Sequence, residues 1–451
     1  MKAIRLHPVE DARIDTSHEL GGAHRGAIGG RQGGRGGDVK GTGDPGLMFH
    51  ESLELRPVGL AVEDHLPGEP VAAQVLEGEK KAALYLATRF AAMGLKAFGE
   101  NYFQPFTLPI NTFPRPLTLK IDGEKLEPGK EYLLNAISKK GKGRGKLLKL
   151  DTLIFTDTAA RQRFLQSKVS NKVIVYEKKQ YARLVELPLE YLNKVHEARA
   201  IIELQNSNKL TASLSPSQLS KPFYEMKLAD FKPDARKARF KAYARHIPVY
   251  PTQNVIGFVP GTAEPDSFLV VSAHYDHLGA MGQVYFPGAN DNASGVSMLL
   301  EIAQYFVSHP HRYSIAFMAF GAEEAGLVGS RYYVEHPLFP LRQIRFLMNL
   351  DLLGTGDDGL MVLNGLKMAP EFEQLSRINQ RHQYFPALSK RDNAPNSDHY
   401  FFAVKGVRCV FFFTLGGIKA YHDVDDRAST LPLTKYQEVF GLLREFMEKI
   451  P

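Results

Sequence analysis

The stretch "YSIAFMAFGAEEAGLVGSRYYVEH" (313–336) passes from a mostly apolar run, through a turn holding two adjacent glutamates, into a second apolar pattern. The run "YSIAFMAF" is continuous rather than alternating, the pattern of a strand buried on both faces. From Ala325 onward, "AGLVGSRYYVEH" reads as a helix. Glu323 and Glu324 therefore stand where a core strand ends. Like charges repel there and lose hydration, so the pair is either a solvated turn or part of a site whose other members lie elsewhere.

The same texture of strand, loop and helix holds from about residue 248 to the end. "QNVIGFVPG", "SFLVVSA", "IRFLMNL" and "VRCVFFF" predict strands. "ASGVSMLLEIAQYFVSH", "PEFEQLSRINQRH" and "TKYQEVFGLLREFMEK" predict helices. Such alternation predicts an α/β domain in which helices cover a largely buried sheet. Upstream, "EGEKKAALYLATRFAAMGL" (77–95) repeats apolar residues at helical spacing. Between about 117 and 235 short runs such as "NKVIVYEK" and "ARAIIEL" alternate with polar turns, predicting a smaller, mostly β module with a helix or two. The expected division is 1–75, then 76–116 with 240–451 as one domain, interrupted by 117–239.

Composition narrows the class. The chain has 451 residues, too many for one small domain, and 44% hydrophobic with 23% charged residues fits a globular protein. It has no apolar run long enough to predict a transmembrane helix. The formal charge is +7, with the excess largely in "SKKGKGRGKLLK" (138–149) and "KPDARKARFKAYARH" (232–246). No nucleic-acid-binding signature accompanies either stretch, so both read as solvated loops and helix faces rather than as nucleic-acid or membrane contacts. Cys409, the single cysteine, lies in an apolar run. That excludes an intramolecular disulfide and a cysteine-based zinc site, and makes the thiol a packed core residue. "MKAIRLHPVE" offers no apolar core of a signal peptide. The glycine-rich segment 21–46 reads as disordered, or as the product of a mis-assigned start that hides an export signal.

Ligands of α/β sheets gather beyond the carboxyl ends of the strands. After "FLVVSA" comes "HYDH", with His274, Asp276 and His277. "GANDNASG" places Asp291 ahead of a helix, "YSIAFMAF" delivers Glu323 and Glu324, "FLMNL" delivers Asp351, and "YHDVDD" brings Tyr421 and His422. Singly, each has an ordinary explanation: a core histidine, a helix N-cap, a solvated turn. Together one metal site accounts for all of them. Histidine with carboxylate suits zinc, and the donors exceed what one tetrahedral ion needs, which suggests two ions sharing a carboxylate.

In this order, "AHYDHLG", "GANDNASG", "FGAEEAGLVGS", "NLDLLG", "SDHYFF" and "YHDVDD" resemble the co-catalytic di-zinc exopeptidases of metallopeptidase family 28. The resemblance implies a mixed sheet with helices on both faces, two zinc ions and a peptide substrate. His274 and Asp351 would hold one zinc, Glu324 and His422 the other, and Asp291 would bridge them. Glu323 would be the general base, Asp276 the carboxylate orienting His274, and Tyr421 a hydrogen-bond donor to the developing oxyanion. Asp398, in "NSDHYFF", matches a motif at the pocket rim. Segment 117–239 loosely resembles the protease-associated inserts of some members, and the family implies an extracytoplasmic location. An aminopeptidase is the leading expectation. A carboxypeptidase or dipeptidase of the same family, a glutaminyl-cyclase-like acyltransferase and a non-catalytic binding protein are its rivals.

Overall fold

Two eight-stranded sheets organise the described residues. The structure is a computed structural model and describes residues 78–450; the expectations for 1–75 lie outside the described residues. Helix α1 (Gly78–Met93) leads into strand β1 (Phe103–Thr112). The chain then builds β2 (Thr118–Ile121), β3 (Glu124–Lys125), β4 (Tyr132–Leu134) and β5 (Gly141–Lys149). Helix α2 (Thr158–Gln166), β6 (Lys172–Glu177), α3 (Lys178–Glu186), α4 (Leu189–His196), β7 (Ala200–Gln205), β8 (Phe223–Lys227) and β9 (Lys237–Ala242) follow.

It returns through β10 (Arg245–Val259), β11 (Glu264–His274) and a short hairpin, β12 (Gly279–Met281) with β13 (Val284–Phe286). Next come α5 (Ser294–Ser308), β14 (Tyr313–Phe320), α6 (Val328–Glu335), β15 (Ile344–Leu350), β16 (Gly359–Leu363) and α7 (Ala369–His382). Strand β17 (Leu388–Arg391), α8 (His399–Val404), β18 (Cys409–Leu415) and α9 (Tyr436–Glu448) complete it.

The first sheet has the order β1-β10-β14-β11-β15-β18-β16-β17. Its centre is parallel, β14 with β11, β11 with β15 and β15 with β18, while β1, β10 and β16 run antiparallel to neighbours. This is the expected mixed sheet. Every residue of β14 is buried. Ile315, Phe317 and Ala319 face a core shared with α1, α5, α7 and α9, whereas Ala316, Met318 and Phe320 face one shared with α6 and α8. Helices thus cover both faces, which is why the sequence of β14 does not alternate. Each large side chain buried there contributes about 2 kcal/mol. Cys409 is buried in the second of these cores, as its apolar neighbours predict.

The second sheet, β3-β2-β9-β5-β6-β7-β8-β4, takes all its strands from 118–242. It carries three α-helices, not one or two, and β5 to β8 run parallel. Helices α2 to α4 cover one face of β6 and β7. The opposite face packs on Leu278, Met281, Val284 and Phe286 around the β12–β13 hairpin. One expectation is corrected: the basic stretches 138–149 and 232–246 are mainly strands β5 and β9 and not loops or helix faces. Glycines at alternate positions of "GKGRGK" hid the strand, because they carry no side chain for an apolar pattern to register.

Candidate metal centre

Parallel strands end at the same side of a sheet, so β11, β14 and β15 deliver their following residues to one place. β11 ends at His274, whose side chain is 1% exposed. Its Nδ1–H donates to the backbone carbonyl of Asp276 at 3.0 Å. That bond fixes the tautomer and leaves Nε2 facing the site. Nε2 lies 3.2 Å from Asp291 Oδ1 and 3.5 Å from Asp351 Oδ1.

Asp291 sits in an irregular turn ahead of α5, with φ −112° and ψ 89°. Its amide and that of Asn290 donate to the Asp426 carboxylate at 3.0 and 2.7 Å. Asn292 ties the turn to the end of β15, donating to Leu350 O at 2.9 Å. Gly288 precedes it at φ +69°, and a Cβ there would come within 2.6 Å of the His277 ring. Only glycine allows both that backbone and that approach.

Asp351 follows β15. Its Oδ2 accepts from Ser397 Oγ at 2.9 Å, and Ser397 accepts in turn from Asn349 at 2.7 Å. Oδ1 is buried with no hydrogen-bond partner among the described residues, so the carboxylate is held by one oxygen and presents the other to the site.

The two glutamates after β14 diverge. Glu324 reaches His277 Nδ1 with Oε1 at 2.7 Å and His422 Nε2 with Oε2 at 2.9 Å. The electrostatic neighbours of Glu323 are instead His274, Asp398, Glu324 and Asp351. Both backbone amides donate to the Asp276 carboxylate, at 3.0 and 3.2 Å. Asp276 meets His274 twice, its backbone carbonyl accepting from Nδ1 and its Oδ1 lying 3.8 Å from that ring, while its carboxylate also holds the glutamate turn. The turn closes tightly, since a Cβ on Gly329 would lie 2.1 Å from Gly321 O.

His422 and Tyr421 come from the 416–426 loop, with their rings stacked at 4.0 Å and 12°. His422 Nε2 is 3.1 Å from Asp291 Oδ2. Tyr421 is 40% exposed. Part of this loop's support arrives from the other sheet. Lys209, between β7 and β8, pairs with Asp423 at 2.7 Å, donates to Lys419 O and lies over the Tyr421 ring. Ala212 N donates to His422 O at 2.8 Å.

Electrostatics follow from crowding. Burial alone would lower His422, but Glu324 and Asp291 outweigh it and push it up to about 11. Burial would raise Glu324, yet His422 and His277 hold it at about 2. Glu323 is held well above the ordinary carboxylate range by burial, opposed by His274 and reinforced by Asp398, Glu324 and Asp351. Asp398 is wholly buried, not at a rim, and burial pushes it up to about 7 against the pull of His274.

The structure brings His274, Asp276, Asp291, Glu323, Glu324, Asp351, Tyr421 and His422 together. It adds His277, Asp426 and Lys209, which no sequence pattern had assigned a role. The first two lay inside quoted motifs, while Lys209 had no signal beyond being a lysine in a polar loop. Donor atoms of His274, Asp291 and Asp351, and of His277, Asp291 and Glu324, form two groups each within 4.8 Å. Among the described residues, no lysine or arginine pairs with these carboxylates. His277 Nε2 and Asp351 Oδ1 are buried without a hydrogen-bond partner among the described residues. Imidazole and carboxylate donors this close, with orphaned atoms between them, fit divalent cations of the zinc type.

The site is a buried histidine–carboxylate centre beyond the strand ends of a mixed α/β sheet. A family model described as peptidase family M28 matches residues 254–447, so the resemblance read from the motifs holds over this C-terminal region. The aminopeptidase YwaD of Bacillus subtilis is 28% identical over 287 residues, covering 61% of this chain and 57% of that protein. A probable leucine aminopeptidase 2 of Aspergillus oryzae is 32% identical over 115 residues, 25% of this chain and 22% of that protein. The chain thus spans little more than half, or less, of these relatives. The crystal structure of a zinc aminopeptidase from Bacillus subtilis shares the fold, with TM-score 0.61 and 23% identity over 85% of this chain and 95% of that one. An aminopeptidase from Aneurinibacillus sp. strain AM-1 does so at TM-score 0.57 and 19% identity, over 84% and 92%.

Proposed function

We propose that the chain is a zinc-dependent exopeptidase, an aminopeptidase that removes N-terminal residues from peptides at a centre for two zinc ions. One observation carries the reading: the two oxygens of Asp291 face different histidines, Oδ1 toward His274 at 3.2 Å and Oδ2 toward His422 at 3.1 Å. A carboxylate placed so can lie between two cations. His274 and Asp351 would hold one ion, Glu324 and His422 the other, with Asp291 between them. Bound there, the ions would polarise the scissile carbonyl and make the attacking water more acidic.

The remaining work belongs to side chains. Glu323, whose charged neighbours are His274, Asp398, Glu324 and Asp351, would as the carboxylate take the proton of the attacking water and return it to the leaving amine. Tyr421 donates its phenol hydrogen to the carbonyl oxygen as charge develops. Asp276 is a positioning residue: by fixing the amides of Glu323 and Glu324 it keeps base and ligand aimed in different directions. The names of the matched aminopeptidases support both the metal and the reaction. On the same reading, 76–116 with 240–451 is the peptidase domain, 117–239 is an insert of protease-associated type, and the protein works outside the cytoplasm.

A hydrolysis profile on a peptide library with free and blocked N-termini tests the reading. Loss of N-terminal residues from free peptides only, abolished by chelation, is the expected result. Loss of C-terminal residues would replace it with a carboxypeptidase. Pyroglutamate formation from N-terminal glutamine would replace it with an acyltransferase.

A further inference from the structure

The two most basic stretches of the sequence, about ninety residues apart, meet in the second sheet. Strands β5 and β9 pair antiparallel in a register that sets cation against cation: Lys142 opposite Lys241, Arg144 opposite Arg239, and Lys146 opposite Lys237. The row continues across β2 and β3, where Lys120 stands opposite Arg239 and then Lys125. Residues directly opposite point to the same face, so these side chains form one field. Their intervening neighbours Leu119, Ile121, Ala238, Phe240 and Ala242 turn to the buried side.

Helices α2 to α4 cover β6 and β7 on this face, leaving the β3-β2-β9-β5 half open. Of the nine outward positions set by that pairing, eight are Lys or Arg and the other is Thr118. Among the described residues none of the eight makes an ion pair with a carboxylate. At the turn end Asp122 accepts from the amides of Arg236 and Lys237, and Glu124 pairs with Lys232, on which Asp234 also acts. Tyr243, at the edge, is drawn below its ordinary value first by its hydrogen bond to Lys241, then by Arg115 and Lys142.

Like charges directly opposite across a ladder destabilise it. A face that carries five such pairs, with no ion pair to an acid among the described residues, is arranged for an anionic partner. From strand geometry the field measures about 14 Å across the strands and about 14 Å along them. It is two-dimensional, lysine-rich and without large apolar side chains to insert. We infer that this face docks the protein electrostatically on an anionic phospholipid surface, whose headgroups are themselves a two-dimensional array of phosphates. A nucleic-acid strand would follow one row and stack its bases on aromatic side chains. The ring of Tyr243, at the edge of the field, is occupied by Lys241 and Arg115.

The test is co-sedimentation of the full chain with vesicles of phosphatidylcholine alone or with about a third phosphatidylglycerol, over a range of salt. Binding is expected to the anionic vesicles only, and to weaken as salt rises. Combined Lys120→Gln, Arg144→Gln and Arg239→Gln should lower the partition coefficient by about fivefold per cation removed, about 100-fold in all. Combined Lys81→Gln, Lys367→Gln and Lys405→Gln, at exposed sites elsewhere, should leave it nearly unchanged. Hydrolysis of a soluble peptide should be the same in both variants and reports that they are folded. Equal binding to neutral and anionic vesicles, or equal losses in the two variants, would overturn the inference. So would tighter binding to duplex or single-stranded DNA than to anionic vesicles at matched salt.

Discussion

Glu323 and Glu324 share an amide anchor on Asp276 yet face different partners, so their substitutions should separate. Glu323→Gln is expected to keep its zinc and lose turnover by about 10²–10⁴-fold, whereas Glu324→Gln should lose one zinc per chain. Metal analysis beside steady-state kinetics reads both, and equal metal loss in the two variants would contradict the division. His277 holds Glu324 Oε1 at 2.7 Å; His277→Ala should weaken one zinc equivalent about 10- to 100-fold in a competition titration. A fourth residue is diagnostic of acid stability. His399 is fully buried, and burial pushes it down to about 3 from its ordinary value near 6.5. It stays neutral in the fold while the unfolded chain takes up a proton. Its share of stability is therefore intact above about pH 6.5 and lost as pH falls from there toward 3. Urea midpoints of His399→Leu should fall less steeply between pH 7 and 5 than those of the wild type, and parallel slopes would show that His399 is not held neutral.

At the level of elements, the 416–426 loop is held from the second sheet, and this sets what Lys209 does. Its ammonium joins Asp423, Lys419 O and the Tyr421 ring, so Lys209→Met should release the loop that presents Tyr421 and His422. We expect kcat to fall about tenfold or more, with partial rescue by Lys209→Arg and faster amide exchange across 419–424. Unchanged exchange would contradict the clamp even in a protein without peptidase activity. The glutamate turn gives a second case, because a Cβ at Gly329 meets Gly321 O at 2.1 Å and Asn254 Oδ1 at 2.4 Å. Gly329→Ala should destabilise the protein by about 1–3 kcal/mol in chemical unfolding. That turn also marks a limit of sequence reading. "AGLVGSRYYVEH" carries a helical pattern throughout, but the helix begins only at Val328. Leu327, at φ +58°, belongs to the turn that aims the glutamates. The order of strands and helices was legible, because buried parallel strands and amphipathic helices write their periods directly into sequence. Strand β16 and the β12–β13 hairpin were not, being short runs without a distinctive period.

At the scale of the molecule, the parallel strands of one mixed sheet end together, and that is why His274, Glu323, Glu324 and Asp351 could be gathered from sequence order, with Asp291 added from the turn ahead of α5. What supports them was harder to read, since Asp276 acts through its backbone carbonyl and two amides, and Asp426 and Lys209 act across large separations in the chain. The basic sheet face was invisible for a similar reason: two stretches read as independent solvated segments become one surface only once their register is known. The central claim is that Asp291 stands between two cations in one centre. Zinc titration of chelator-stripped protein, followed by calorimetry and elemental analysis, tests it most directly. Two equivalents per chain are expected, with both weakened in Asp291→Asn; a single equivalent, or an Asp291→Asn variant that binds two as tightly as the wild type, would contradict it.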